Sequence, residues 1–308
     1  MSDLLLKFSF NGAQARGGIV QLGAAWREMT AHHQYPAAVM RVLGEMAAAA
    51  ALLATSIKFN GTLVMQIYGD GPLQLLVIEC QSDLTLRATA KVRGEPVADD
   101  ISLQQLLNRG GKGRFVITLD PKDRMPGQQA YQGIVALEGD SVAEVLQTYM
   151  RQSEQLETRI WLACDEQSAG GLLLQRLPED GRFASDAPYE DPWERLSALA
   201  RTVTPEELLS LAPDTVLHRL FWQESLDLYA PLTPRFHCSC SRERIAKMLV
   251  SLGQEEVDSI IAEQGSVTVT CEFCGCKYSF DPVDVPPLFM GGAEHPTLKR
   301  PIVASEID

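Results

Sequence analysis

Four cysteines stand in two tight pairs towards the C-terminal end of the chain: Cys238-Ser-Cys240, thirty residues (241–270), then Cys271-Glu-Phe-Cys274. Four thiolates at such spacing are the donor set of a tetrahedral structural zinc site. Each pair clamps one edge of the ion, and the long insert loops round to bring the pairs together. A closed shell of this kind leaves no open position for hydrolytic chemistry. Its ligands are oxidisable, and the sulfurs within a pair sit close enough to join once the ion has gone. The same residues can therefore be a staple or a switch. The staple is the plainer reading, because structural zinc contributes about 10–16 kcal/mol to the folding of small zinc peptides, more than a small core nets. The switch reading rests on Cys238-Ser-Cys240, where a single spacer strains any disulfide and makes it easy to reduce again.

Neighbouring donors are weighed against this set. The knuckle pattern C-x-x-C-G selects Cys271 and Cys274, which leaves Cys276 as a substitute ligand, a resolving thiol or a bystander, the last being plainest. His237 adjoins Cys238 but finds the shell full. Cys80 and Cys164 fall in expected strands and read as buried, inert thiols. His32 and His33 lie in a loop-like stretch and read as surface residues. Arg16-Gly17-Gly18 and Ala169-Gly170-Gly171 fit neither a P-loop nor a dinucleotide fingerprint, so turns are the better reading. With no Gly-x-Ser-x-Gly, no His-Glu-x-x-His and no triad, the chain reads as a protein that is not an enzyme.

The elements that must position the cysteines read as an α+β protein in three parts. Residues 1–178 are expected to form a mainly antiparallel-sheet core domain. Within it, Pro36 opens an alanine-rich, buried helix over PAAVMRVLGEMAAAAALLATSI. Strands follow at 62–68, 72–80 and 84–92, with Gly69-Asp-Gly71 as a hairpin turn between the first two. Further strands are expected at 114–119, 131–138, 158–164 and 171–177, and Ser141-Val-Ala-Glu144 caps a helix running to about 156. Runs of strands with few interposed helices favour antiparallel sheet.

Residues 179–235 read as a helical linker. Asp191-Pro192 and Thr204-Pro205 are helix starts, and Thr204 with Glu207 makes a capping box. The linker is charged, with five Arg against eleven Asp/Glu, yet carries an apolar stripe that includes Leu220, Phe221 and Trp222. Such a stripe must pack on something. Residues 236–308 read as a small zinc-binding domain. Ser241 caps a helix over 242–252, Gly265 stops a second over 254–264, and Val267–Thr270 form a strand leading into the knuckle. The tail from Pro286 onward, ending GGAEHPTLKRPIVASEID, reads as loose.

Composition narrows the partners. The 308-residue chain has a net charge of −13 and 45% hydrophobic residues. The cysteine-bearing segment 236–308 is itself acidic, with six Lys/Arg against eleven Asp/Glu. That field repels phosphate backbones, so nucleic acid is not expected as a partner. The N-terminus lacks a signal-peptide core, and the longest apolar run, Met46 to Ala54, is too short to span a bilayer. A cytoplasmic protein with no membrane partner is expected. Paired cysteines there are more often metal ligands or redox sensors than standing disulfides.

HCSCSRER at 237–244, EEVDSIIAEQG at 255–265 and CEFCGCKY at 271–278, with GDGPLQLL at 69–76 and AGGLLLQ at 169–175, closely resemble the redox-regulated 33-kDa heat shock proteins. The resemblance covers nearly the whole chain. It implies a holdase chaperone of the stress response, silent when reduced with one zinc ion bound and activated by oxidants together with unfolding conditions. It implies that Cys238, Cys240, Cys271 and Cys274 are the zinc ligands, with disulfides Cys238–Cys240 and Cys271–Cys274 in the oxidised form. It further implies unfolding client proteins as partners, a homodimer when oxidised, and transfer of clients to an ATP-dependent chaperone system for refolding. Two other functions compete. A zinc-ribbon nucleic-acid-binding protein needs a basic face that this segment lacks. A thiol-disulfide oxidoreductase needs its C-x-x-C at a helix N-terminus, whereas Cys271 follows a strand.

Overall fold

A computed structural model describes residues 3–57, 59–94, 96–123, 129–178 and 191–290. By contact the chain divides into two units, Met1–Cys238 and Ser239–Asp308. The first opens with β1 (Leu4–Phe10), β2 (Ala15–Leu22), α1 (Ala24–Thr30) and α2 (Ala37–Ser56). A sheet region follows with β3 (Gly61–Tyr68), β4 (Leu73–Gln81), β5 (Thr85–Val92), α3 (Leu103–Leu107), β6 (Arg114–Pro121) and β7 (Tyr131–Ala136). Next come α4 (Val142–Ser153), β8 (Thr158–Cys164) and β9 (Ala169–Arg176). The unit ends with α5 (Pro192–Ala200), α6 (Pro205–Ser210), α7 (Pro213–Phe221), β10 (Leu226–Leu228) and β11 (Arg235–Phe236).

The strands build a five-stranded sheet, ordered β10-β1-β2-β9-β8, and a six-stranded sheet, ordered β11-β5-β4-β3-β6-β7. Named pairs are antiparallel except β11 on β5, which is parallel. Helix α2 packs against strands of both sheets. Every residue from Met46 to Ala54 is buried, and a helix that is apolar all round has to be. Alanine suits it, because small side chains let two sheets approach one rod. The whole helix is long and apolar enough, by length and composition, to cross a membrane, which the shorter run read from sequence is not; here it is enclosed by protein. Pro36 stands one place outside the helix, as its N-cap.

The glycine pairs correct the sequence reading. Gly17 lies within β2, and Gly170 and Gly171 within β9, whose register pairs Gly17 with Leu174 and Val20 with Gly171. These glycines are not turns; they make room. A Cβ on Gly17 would collide with the ring of Phe8 and stand 2.6 Å from the Leu173 carbonyl oxygen, and one on Gly170 would stand 2.7 Å from that of Leu208. The N-terminal strands β1 and β2 were not expected at all.

The stripe of the 179–235 segment finds its surface on the five-stranded sheet. Trp193, Leu196, Leu208, Val216, Leu217, Leu220 and Phe221 join Leu6, Phe8, Phe10, Ile19, Leu172 and Leu174 in one core. Leu173 points into the other core, with α2. Strand β9 is thus covered on both faces, which explains its unbroken apolar run. Asp191 caps α5, and Thr204 with Glu207 forms the expected capping box on α6. Residues 179–190 lie outside the described residues. The expected Leu220-Phe221-Trp222 cluster is split by helix geometry: Phe221 is buried edge-on against Phe10, while Trp222 is 68% exposed.

The second unit contains α8 (Arg242–Leu252), α9 (Gln254–Gln264), β12 (Val267–Thr270), β13 (Lys277–Phe280) and α10 (Val285–Met290). Ser241 caps α8 and Gly265 ends α9 in the left-handed conformation. Helix α10 corrects the loose reading of the tail as far as Met290: Val285 is buried and Leu288 and Phe289 pack against the local core. The stretch 291–308 lies outside the described residues.

Candidate metal centre

Cys238 leaves β11, and Cys240 immediately precedes the Ser241 cap of α8. The second pair sits on the turn between β12 and β13. There the Cys271 amide donates to the Cys276 carbonyl at 2.8 Å, and the Gly275 amide to the Cys271 carbonyl at 2.8 Å. Gly275 takes φ +67°, which a side chain would resist. The sulfurs of Cys238, Cys240, Cys271 and Cys274 lie within 4.8 Å of one another. Four sulfurs at about 2.3 Å from a zinc ion stand roughly 3.8 Å apart, so the cluster has the size and the donor chemistry for one ion. Cys274 is buried and the other three are half-buried. Cys276 is exposed and, like exposed His237, falls outside the group.

The surroundings hold the sulfurs by hydrogen bonds. Tyr278 donates its hydroxyl to Cys240 Sγ at 3.1 Å. That bond, followed by burial, pushes the tyrosine pKa up and keeps it a donor. Arg244 donates to Ser239 Oγ at 2.6 Å, bracing the residue between the first pair. Arg87 on β5 hydrogen-bonds the sulfur of Cys238 and pairs with Glu79 at 2.6 Å. Both partners were missed from sequence. Tyr278 had a signal, since it follows the knuckle at once; Arg87 lies far upstream and has none.

The local core is thin. Among the described residues only Leu249, Val257, Val267, Phe280 and Val285 are fully buried there. Arg242 reinforces it by stacking 4.2 Å over the Phe280 ring and pairing with Asp284 at 2.8 Å.

The remaining candidates fall outside the sulfur cluster. Cys80 is buried in β4 and Cys164 closes β8; burial, then nearby carboxylates, raises both thiol pKa values and leaves them inert. His32 is exposed as expected, but His33 is half-buried and stacked 4.8 Å from Tyr35.

A family model described as Hsp33 protein matches residues 3–281. The chain belongs to the Hsp33 family. Among Hsp33 relatives, the 33 kDa chaperonin of Methylobacillus flagellatus is 47% identical over 290 residues, covering 94% of this chain and 95% of that protein. The 33 kDa chaperonin of Pseudomonas aeruginosa is 44% identical over 301 residues, covering 97% and 99%. The crystal structure of the 33 kDa chaperonin from Thermotoga maritima shares the fold, with a TM-score of 0.76 at 19% identity over 93% of this chain and 98% of that one. Membership of Hsp33 makes chaperone function the frame for the cysteine cluster.

Proposed function

We propose that this protein is a redox-regulated, ATP-independent holdase that binds unfolding proteins and prevents their aggregation under oxidative stress. The observation that carries the reading is the cluster of four sulfurs attached to a unit with only five buried side chains besides Cys274 among its described residues. In the reduced state Cys238, Cys240, Cys271 and Cys274 would hold one Zn2+, which supplies the cross-link that so small a core needs. Peroxide oxidises one thiolate of a pair to a sulfenic acid and releases hydroxide. The partner thiol then displaces water as the sulfur–sulfur bond forms. Two such events give Cys238–Cys240 and Cys271–Cys274, and the oxidised residues no longer hold the ion.

Without its cross-link the C-terminal region unfolds. The 179–235 segment then loosens, exposing apolar surface for clients. In this division residues 1–178 are the stable core, 179–235 the linker and 236–308 the switch. The oxidised protein acts as a homodimer in the cytoplasm and passes clients to an ATP-dependent chaperone system for refolding. No catalytic turnover is part of this reading. A zinc-ribbon nucleic-acid-binding role is disfavoured by the acidity of residues 236–308.

The test is zinc content and suppression of client aggregation, measured before and after peroxide. One equivalent of zinc with no holdase activity is expected first, and zinc loss with activity afterwards. Activity that is full and unchanged in the reduced protein would overturn the switch.

A further inference from the structure

Strand β11 lies parallel on β5, with Arg235 opposite Thr85 and Phe236 opposite Leu86. The ladder continues past the strand: the His237 amide donates to the Leu86 carbonyl at 3.0 Å. Arg235 also pairs with Asp83 at 2.7 Å. The segment entering Cys238 is therefore held in register on the six-stranded sheet, beside Arg87. On the other side of β5, Arg87 is opposite Glu79 of β4, and the two form an ion pair at 2.6 Å with side chains only 19% and 23% exposed. Arg87 also hydrogen-bonds the sulfur of Cys238. A carboxylate on β4, a guanidinium on β5 and the sulfur that follows β11 thus come in sequence.

We propose that Glu79 and Arg87 are positioning residues for Cys238 as a metal ligand. The arrangement is that of an outer-shell carboxylate orienting a donor which in turn orients the ligand, with a guanidinium in the middle place. Its chemistry suits a thiolate. A Zn2+ ion in four thiolates is a net anion, and a shielded cation bonded to one sulfur offsets that charge. Glu79 keeps the guanidinium planar fork aimed, because a bidentate-capable arginine is oriented by its carboxylate. On a sulfur that zinc would already keep ionised, the bond also lowers electron density, which slows its attack on an oxidant. Glu79 and Arg87 therefore set how tightly Cys238 holds the ion. This inference rests on the zinc reading of the four cysteines.

The experiment compares reduced, full-length protein with its Arg87→Gln, Arg87→Lys and Glu79→Gln variants. Zn2+ affinity is measured by competition with a chromogenic chelator, and the rate of Zn2+ release is followed after peroxide. Melting of the first unit is recorded alongside. Arg87→Gln is expected to weaken zinc binding by roughly 10–100-fold, the usual effect of losing an outer-shell partner, and to speed release. Arg87→Lys restores the cation and should recover most of the loss. Glu79→Gln should fall between parent and Arg87→Gln. Zinc affinity within twofold of the parent in Arg87→Gln would overturn the inference. So would Lys and Gln variants that lose zinc equally and in step with melting of the sheet. A parent protein that binds no Zn2+ would instead remove the zinc reading itself, and the inference with it.

Discussion

A thiolate ligand can be replaced only where a second donor stands close enough to take its place. Cys276 and His237 are near in sequence but are exposed and outside the sulfur cluster. A Cys271→Ala variant is therefore expected to lose its zinc and to loosen the second unit, read by metal analysis and hydrogen exchange. Full zinc retention would make Cys276 or His237 the substitute. A second residue-scale prediction concerns Glu45 on α2. Burial raises its pKa from 4.5 to about 7, against the pull of Arg41. The folded protein then holds this proton more tightly than the unfolded chain does, so stability falls as pH rises between those values and stays reduced above them. A neutral isostere escapes the loss. Glu45→Gln should stabilise the protein at about pH 8 by at most about 3 kcal/mol and have little effect near pH 4, seen as a pH-dependent gain in melting temperature. An equal shift at both pH values would show that ionisation is not the cause.

Helices α5 to α7 are held chiefly by one apolar seam. Phe221 packs at 5.1 Å from the Phe10 ring and 6.1 Å from that of Phe8, and Leu220 is 7% exposed in the same core. Truncating a buried Phe or Leu to Ala costs roughly 2–5 kcal/mol each, and helices this short have little of their own to offset it. A Leu220→Ala, Phe221→Ala double variant is expected to suppress client aggregation while still reduced and zinc-loaded, because the stripe is no longer masked. If the same residues grip clients, activity falls in the oxidised state instead. Trp222 needs no unmasking, being already exposed. A linker already open by hydrogen exchange in the reduced parent, with the double variant still inactive, would remove masking as the control.

The two units are expected to depend on a bound metal to different degrees. The first has two continuous cores around the five-stranded sheet, whereas the second rests on a handful of buried side chains. Oxidation is accordingly expected to unfold the second unit and leave residues 1–178 folded. Limited proteolysis after peroxide, at mildly raised temperature, should cut first between about 180 and 285. Equal protection of that region before and after zinc loss would contradict the switch. The charge of −13 puts self-repulsion into the compact state that expansion relieves, so the opening should be easier at low salt.

Local chemistry was legible in the residues themselves. The cysteine spacing picked out the four sulfurs that the structure gathers, because knuckle geometry needs only a few consecutive residues. Ser141, Thr204, Ser241 and Gly265 marked helix ends for the same reason: capping is a contact within one turn. The strands from β3 to β9 showed in their apolar runs. What escaped depended on partners distant in sequence. Gly17 and Gly170 looked like turn residues because nothing nearby records Phe8, Leu173 or Leu208 pressing on their Cα atoms. The apolar stripe of α5 to α7 announced a need for cover, but only the tertiary structure assigned that cover to the outer face of β1, β2 and β9. Arg87 carried no mark at all. It comes beside the candidate metal ligand Cys238 because β11 pairs with β5, and strand pairing is a decision of the whole fold.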